Sequence, residues 1–250
     1  CRDHGPAFVI KANQKAIVNW DYNAWGGKYP CECDNLIPKK IADELGLEMF
    51  HPHIVMEGGS IDVNGKGTLL TTTSCLLNET RNPMLSQAEI EEKLCNYYNV
   101  DNVIWLGDGI EGDDTDGHVD TVARLAPNDT IVYMQCCDKD DEQYADLNAM
   151  EEQIKTLRTA EGNPYRMLAL PSPTAIYDED GERLPATYAN FLIMNNAVLY
   201  PTYAQPENDK LAAEVLSKAF PGYEIVGIDC RALIKQHGSL HCVTMQYPKN

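Results

Sequence analysis

The sequence predicts an α/β fold in which a unit of two strands, a helix and a third strand repeats around a ring or propeller. Three observations predict it: five hairpin-like apolar segments, four helical patterns between them, and a short apolar stretch after each helix. The hairpin segments recur at a spacing of roughly 50 to 70 residues, as expected when each repeat is one structural unit. An ordinary open α/β sandwich is the alternative fold, and the repetition favours the ring.

The hairpin segments contain residues that are typical of tight turns. Asn64-Gly65 lies in the second segment, Pro127-Asn128-Asp129 in the third and Asn195-Asn196 in the fourth. Such residues favour the short loops that connect antiparallel strands. The predicted hairpin segments are 6–20, 59–72, 117–134, 189–201 and 239–245.

The helical patterns have apolar residues at three- and four-residue steps, which gives a helix one face to bury. Ser86 and Glu89 predict a capping box at the start of the second helix, and Pro221-Gly222 end the fourth. The predicted helices are 38–45, 86–94, 144–159 and 208–220, and the strands that follow them include 103–106, 167–170 and 223–228.

These elements do not complete a closed ring. Five hairpins alternate with four helices, so one more helix and one more strand are needed, and their natural place is before residue 1. We therefore expect one domain over residues 1–250 that is clipped at its N-terminus, where the chain begins with Cys1 instead of methionine.

The charge of the chain narrows the choice of partners. Asp and Glu number 38 against 20 Lys and Arg, which gives a formal charge of −18. Nucleic acid and anionic membranes are therefore disfavoured as partners, and a cationic small molecule is favoured. No apolar run approaches the ~20 residues of a membrane-spanning helix, and no signal peptide is visible. We expect a cytoplasmic protein, with a homodimer as the assembly considered.

The nine cysteines are odd in number and irregular in spacing, which predicts reduced thiols and not a disulfide scaffold. Cys31-Glu32-Cys33 with His51-Pro52-His53 gives only a weak zinc-like pattern, because no second cysteine pair completes a tetrahedral site. Segment 108–117 is dense in acids but lacks the alternating ligands and the closing glutamate of a calcium loop. We therefore expect no metal, and we interpret 108–117 as a loop that flanks the functional site.

Residues able to carry chemistry stand at the same place in the repeats, near the start of each hairpin. In a ring these points converge on one axis and bring a thiol, an imidazole and several carboxylates together. Each has a structural explanation when taken alone: in His118-Val119-Asp120 the first and third residues share one strand face, and Cys242 resembles a small buried hydrophobe. The residues concerned are Asp3, Glu57, His118, Asp120, Asn190 and Cys242.

Five ordered blocks carry a family resemblance. The first is Arg2-Asp3-His4-Gly5-Pro6 and the last is Gly238-Ser239-Leu240-His241-Cys242; the other three are 23–27, 57–83 and 114–120. Together they resemble the family of agmatine deiminases and bacterial, Porphyromonas-type peptidylarginine deiminases. The resemblance runs nearly end to end. It implies the five-bladed α/β propeller of the pentein superfamily, with the first part of a family chain absent ahead of Cys1.

The resemblance also implies an activity, that of a hydrolase acting on the carbon–nitrogen bonds of linear amidines without a cofactor. Agmatine would become N-carbamoylputrescine and ammonia, a step of polyamine metabolism, through an amidino-cysteine on Cys242. Asp3 and Asp120 match the family positions that hold a planar guanidinium by paired hydrogen bonds. His118 would protonate the leaving nitrogen and then activate water.

Three more residues match family positions near the site, each with two interpretations. Glu57 contacts the substrate or satisfies the backbone of the turn that follows it. Asn190 contacts the substrate or orders a strand, and Trp25 stacks on the alkyl arm of the substrate or only packs. We expect a structural role for His241, because alternation along a strand would point it away from Cys242.

Three alternatives to agmatine hydrolysis stay open. Agmatine deiminases commonly have Gly-Asn-Ile-His-Cys at the nucleophile, and this chain has Ser239-Leu240 inside that block; peptidyl-arginine is therefore an alternative substrate for the same chemistry. A second alternative is an N-terminal-nucleophile amidohydrolase that uses Cys1 as nucleophile and base. The third is a non-catalytic acidic binding module.

Overall fold

The computed structural model describes residues 1–248. Its strands form four three-stranded sheets of identical design. In each sheet an antiparallel hairpin is followed by a third strand that runs parallel to the second strand of the hairpin. The sheets are β1 (Ala7–Lys11), β2 (Gln14–Val18) and β3 (Glu48–Phe50); β4 (Ile61–Val63), β5 (Thr68–Thr72) and β6 (Asn102–Leu106); β7 (Ala123–Ala126), β8 (Thr130–Gln135) and β9 (Arg166–Pro171); and β10 (Leu192–Ile193), β11 (Ala197–Thr202) and β12 (Glu224–Asp229).

One long helix connects the second and third strands of each sheet. The α-helices are α1 (Ala24–Gly27), α2 (Ile37–Leu45), α3 (Thr73–Leu76), α4 (Gln87–Tyr98), α5 (Tyr144–Thr156) and α6 (Pro206–Ala219). Short 3-10 helices cover Asp34–Leu36, Gly58–Ser60, Val119–Thr121, Ile234–Gln236 and His241–Val243. The predicted repeat of strand, strand, helix and strand is confirmed, with α2, α4, α5 and α6 as the connecting helices.

The fifth predicted hairpin, at 239–245, is wrong. This segment contains the 3-10 helix His241–Val243 and no strand. Its backbone groups bond to other parts of the chain: the Arg2 N–H donates to the Cys242 carbonyl at 3.1 Å, and the His241 N–H donates to the Asn190 carbonyl at 3.2 Å. The segment therefore joins the N-terminal residues to the start of the fourth unit.

Local sequence explains the regular elements. All five residues of β5 are buried, as expected of a central strand covered on both faces. The Ser86 hydroxyl accepts from the Glu89 N–H, and Glu89 accepts from the Ser86 N–H, which confirms the predicted capping box. Helix α2 ends at Gly46, whose φ of 63° is left-handed and therefore favours glycine.

The apolar core consists of two clusters. One packs the first two sheets against α4, and the other packs the last two sheets against α5 and α6. They meet at β5, where the neighbouring residues Leu69 and Leu70 belong to different clusters because successive strand residues face opposite sides. This packing fixes the hairpin starts of successive units beside one another.

Two expectations from the sequence concern the cysteine thiols and the membrane-spanning capacity of the helices. All nine cysteines are free thiols, which confirms the prediction from their spacing. Among the helices described between residues 1 and 248, none has both the length and the apolar character that crossing a bilayer requires.

Candidate active site

The turn Gly58–Ser60 is the point at which distant segments meet. A Cβ atom at Gly59 would lie 2.5 Å from His118 Nδ1, 2.9 Å from Asp3 Oδ1 and 3.1 Å from Asp120 Oδ2. Only glycine fits here, because real Cβ atoms essentially never come within 3.0 Å of such neighbours. An imidazole and two carboxylates are thus gathered around one backbone position.

Asp3 is held in this group by two hydrogen bonds. Its Oδ1 accepts from the Gly59 N–H at 2.9 Å, and its Oδ2 accepts from the Trp25 indole N–H at 3.1 Å. His118 Nδ1 lies 3.6 Å from Asp3 Oδ1, and the Asp3 side chain is 9% exposed. The carboxylate is therefore oriented by its neighbours while a small part of it stays accessible.

His118 is positioned by the acidic loop that precedes it. Asp113 Oδ2 accepts from the backbone N–H groups of Gly117 and His118, both at 3.1 Å. The His118 imidazole is buried, and its Nε2 has no hydrogen-bond partner within the described chain. Burial opposes protonation of this ring, but nearby carboxylates, Asp3 foremost, raise the pKa of His118 above its ordinary value.

Asp120 is fully buried, and in the part of the chain that the structure describes its carboxylate has one hydrogen-bonded neighbour, His241. His241 Nδ1 lies 2.7 Å from Asp120 Oδ2, while Oδ1 has no hydrogen-bond partner among residues 1–248. Burial raises the pKa of Asp120 to about 7, and the charge of Asp3 adds to this effect. The unbonded oxygen is thus a buried acceptor that can receive a donor from a bound molecule.

His241 connects this carboxylate to a buried cation. Its Nε2 lies 3.5 Å from a terminal nitrogen of Arg124, and Arg124 Nε lies 3.1 Å from Asp62 Oδ1. Burial, followed by the charge of Arg124, lowers the pKa of His241 well below its ordinary value. The ring is therefore neutral, donates from Nδ1 to Asp120 and offers Nε2 as an acceptor.

Cys242 lies beside Asn190 and shares a narrow cleft with His118. Asn190 Nδ2 and Oδ1 lie 3.4 and 3.5 Å from Cys242 Sγ, and all three residues line the cleft. Burial, and after it the charges of Asp120 and Asp3, raise the pKa of the Cys242 thiol well above its ordinary value. The thiol is therefore protonated while no cation is bound.

Glu57 forms a buried ion pair that connects two segments of the site. Its Oε1 accepts from Arg81 Nε at 2.7 Å, and both side chains are fully buried. Arg81 also donates to Asp116 Oδ2 at 2.7 Å, so the pair joins the turn at Gly58–Ser60 to the loop that precedes His118.

A family model described as Porphyromonas-type peptidyl-arginine deiminase matches residues 1–248. The chain belongs to this family. The repeated three-stranded sheets are those of the pentein superfamily, and the family consists of guanidino-group hydrolases.

Relatives within the peptidyl-arginine deiminase family cover the whole chain. A "putative agmatine deiminase" of Legionella pneumophila is 40% identical over an alignment of 251 positions that covers 100% of this chain and 72% of that protein. The structure of the agmatine deiminase of Enterococcus faecalis catalysing its reaction has a TM-score of 0.93 at 35% identity and covers 99% of this chain and 74% of that one. A serine variant of the C. jejuni agmatine deiminase with substrate bound has a TM-score of 0.89 at 40% identity and covers 96% and 70%.

The structure corrects three details of the sequence interpretation. His118 immediately precedes the 3-10 helix Val119–Thr121 and Asp120 lies inside it, so neither is in a strand; the Thr121 N–H turns back to the His118 carbonyl at 3.2 Å. The Glu57 carboxylate does not satisfy the turn that follows it: it pairs with Arg81, Asp3 accepts the Gly59 N–H, and only the Glu57 backbone carbonyl accepts from the turn, from the Ser60 N–H at 3.0 Å. Whether Glu57 contacts a substrate stays a prediction.

The third correction concerns His241, which the predicted strand placed on the face away from the site. In the 3-10 helix His241–Val243 neighbouring side chains are not on opposite faces, and His241 bonds to Asp120. No periodicity in the segment could have indicated this contact. The signal available was a histidine directly before the predicted nucleophile.

Proposed function

We propose that this family member is an agmatine deiminase that converts agmatine and water to N-carbamoylputrescine and ammonia. One observation carries the proposal: two carboxylates and an imidazole surround Gly59, and the same imidazole shares a cleft with the Cys242 thiol. The agmatine deiminase structures of E. faecalis and C. jejuni support agmatine as the substrate. Because every group that the reaction needs lies between Asp3 and Cys242, we also propose residues 1–250 as one catalytic domain.

Recognition of the substrate follows from its shape and charge. A guanidinium is planar and permanently cationic, and its donors fit carboxylates in paired hydrogen bonds. Asp120 offers an oxygen without a hydrogen-bond partner among residues 1–248, and Asp3 lies beside the same turn. The formal charge of −18 favours approach of a cation. Trp25 holds Asp3 through its indole N–H, so its ring edge borders the place of the substrate's arm.

The first half of the reaction is a thiol attack. The Cys242 thiolate bonds to the central guanidinium carbon and forms a tetrahedral adduct. Protonated His118 gives its proton to one terminal nitrogen, the carbon–nitrogen bond breaks, and ammonia leaves. The remaining amidino group is bonded to sulfur. Asn190 lies within 3.5 Å of that sulfur and orients it.

The second half returns the enzyme to its starting state. Neutral His118 takes a proton from water as the water oxygen bonds to the amidino carbon. The second tetrahedral adduct collapses, the carbon–sulfur bond breaks, Cys242 leaves as thiolate, and the remaining hydroxyl proton passes to the released ammonia or to solvent. The product carries a urea group where the substrate carried a guanidinium.

Binding of the substrate also activates the nucleophile. In the empty site Asp3 and Asp120 repel a thiolate, which together with burial raises the pKa of Cys242. A guanidinium between these groups neutralises their charge and adds a positive one, and both effects lower the pKa of the thiol. Thiolate therefore forms when a cation is bound.

Mass spectrometry of the intact chain after incubation with agmatine tests covalent catalysis. We expect a mass increase equal to one agmatine less one ammonia, which is the amidino group with its alkyl amine arm, located on the peptide that contains Cys242, and no adduct in a Cys242→Ser chain. Full turnover by Cys242→Ser would overturn the mechanism. Loss of activity in Cys1→Ser, with Cys242→Ser still active, would favour the N-terminal-nucleophile alternative.

Peptidyl-arginine is the second candidate substrate, because the family model that matches the chain is named for it. The two candidates differ in the group that enters the cleft beyond the guanidinium: a free alkyl amine or a peptide. Ammonia release is measured from agmatine and from a peptide with a C-terminal arginine at equal concentrations. A higher kcat/KM for the peptide would assign the chain to protein citrullination.

A further inference from the structure

Outside the cleft, Asp21, His51 and His53 form a surface cluster of metal-ligating side chains. Each residue offers one ligand atom, and the three atoms all lie within 4.8 Å of one another. His51 Nε2 lies 2.6 Å from Asp21 Oδ1, and the two imidazole rings lie 4.1 Å apart between their centroids. The Asp21 and His51 side chains are 42% and 35% exposed, so water can reach the cluster.

The backbone around the cluster holds these residues together. Asp21 forms a parallel bridge with Val55, its N–H donates to the Ile54 carbonyl at 3.0 Å, and its carbonyl accepts from the Met56 N–H at 3.0 Å. These bonds extend the pairing of β2 and β3 beyond the strand ends. The register of β2 and β3, continued past Val18 and Phe50, places His51 opposite Asn19, two residues before Asp21, and the His51 side chain reaches the Asp21 carboxylate from there.

His53 has an uncommon, left-handed backbone conformation. Its φ is 58°, in the left-handed region that few residues other than glycine adopt, although histidine is enriched there with Asn and Asp. Such a conformation costs on the order of 1–3 kcal/mol and is frequent at functional sites. No hydrogen bond to the His53 side chain is found among the described residues, so its imidazole nitrogens are available to a ligand.

We propose that Asp21, His51 and His53 bind a divalent transition-metal ion such as Zn²⁺. Two imidazole nitrogens and one carboxylate oxygen are a donor set that suits Zn²⁺, Co²⁺ and Ni²⁺, whereas Mg²⁺ and Ca²⁺ prefer oxygen alone. With zinc–nitrogen bonds of 2.0–2.1 Å, ligand atoms in a tetrahedral site lie about 3.3 Å apart. Rotation of the exposed side chains brings the present separations to that value, and water completes the coordination.

Two other candidate metal sites are weaker. Glu57, Cys75 and His118 meet the same distance condition, but Glu57 is already paired with the buried Arg81 cation at 2.7 Å. The Cys31-Glu32-Cys33 motif, which the sequence pairs with the two histidines, has its Cys31 thiol bonded to the Tyr22 carbonyl at 3.4 Å. Asp21, and not Cys31 or Cys33, supplies the third ligand atom near His51 and His53.

Zinc titration of the metal-free full chain, followed by calorimetry, tests the proposal. Asparagine tolerates left-handed φ, so His53→Asn removes the imidazole and keeps the backbone conformation. Asp21→Asn removes the carboxylate charge. We expect the unmodified chain to bind one Zn²⁺ at this site and each variant to lose at least tenfold in affinity.

Cys33→Ser is the matched control, because Cys33 is the exposed thiol of the motif that the sequence offers as a rival ligand. We expect this variant to bind Zn²⁺ as the unmodified chain does, and X-ray absorption at the zinc edge to report nitrogen and oxygen ligands with imidazole scattering. Unchanged affinity in His53→Asn, or sulfur in the first coordination shell together with loss of binding in Cys33→Ser, would overturn the proposal. Thermal unfolding of each metal-free variant verifies that it is folded.

Discussion

Gly59 offers the sharpest single test of the proposed active site. Alanine there would place a methyl carbon 2.5 Å from His118 Nδ1, 2.9 Å from Asp3 Oδ1 and 3.1 Å from Asp120 Oδ2. Non-bonded heavy atoms pack at about 3.5–4.0 Å, so the three groups must retreat by about 1.0, 0.6 and 0.4 Å. A misplacement of about 1 Å costs about 10²-fold in rate. We therefore expect Gly59→Ala to lower kcat/KM for agmatine about 100-fold or more.

The same substitution leaves the backbone free of strain, because the φ of Gly59 is not positive. Overpacking should cost about 1–3 kcal/mol of folding stability, measured by urea unfolding. Gly107→Ala is the matched control: a Cβ there has no heavy atom within 4 Å, and its φ is not positive either. Ammonia release is measured for both variants. A folded Gly59→Ala chain with unchanged kcat/KM would refute the convergence of the three groups on this turn.

Three further predictions follow from particular contacts. His241→Leu removes the donor to Asp120. A hydrogen bond to a charged group contributes about 1.5–3 kcal/mol, so kcat/KM should fall about 10- to 150-fold in this variant and recover in part in His241→Gln. Equal losses in both variants would contradict a positioning role for His241. The pKa of Asp120 is raised to about 7, so kcat/KM should fall as the pH drops below about 7, where the neutral acid no longer pairs with a cation; a profile that is flat down to pH ~5 would contradict this. Ser86→Ala should lose about 1 kcal/mol of stability in urea unfolding through its broken cap, whereas Ser217→Ala, at an exposed position in the last turn of α6, should lose none.

The repeating architecture could be predicted because its signals are local. The capping box at Ser86 and the turn residues at Asn64-Gly65 act within a few positions of the chain, and the structure has a helix and a hairpin at those places. The segment 239–245 has the apolar composition of a strand, yet it forms a 3-10 helix. Its backbone bonds go to Arg2 and Asn190, which are distant in sequence. No local pattern contains that information.

The candidate site also combines residues that the sequence pattern indicates with residues that only contacts between distant segments bring in. Asp3, His118 and Asp120 could be selected because they precede hairpins of a repeated unit and because their blocks resemble the family, whereas Cys242 rests on the family resemblance of its block, since the hairpin predicted there is absent. The residues that bond to these side chains and shift their pKa values could not be selected, because they lie at positions of the chain that the repeat does not relate. His241 approaches Asp120 from the far end of the chain, and it determines which oxygen of that carboxylate remains for a ligand.

The balance of buried charges supports a guanidinium as the proposed substrate and accounts for the release of its product. Each of the three arginines buried between residues 1 and 248 already has acceptors: Arg81 has Glu57 at 2.7 Å, Arg124 has the Phe191 carbonyl at 2.6 Å and Asp62 at 3.1 Å, and Arg2 has the His241 carbonyl at 3.4 Å. Among the described residues no arginine or lysine forms an ion pair with Asp3 or Asp120, whose titratable partners are the imidazoles of His118 and His241, so a bound guanidinium supplies the direct cationic partner. The urea group of the product is neutral and cannot supply it. Hydrolysis thus removes the charge that held the ligand, and the repulsion between the two carboxylates then favours exchange of product for a new cation.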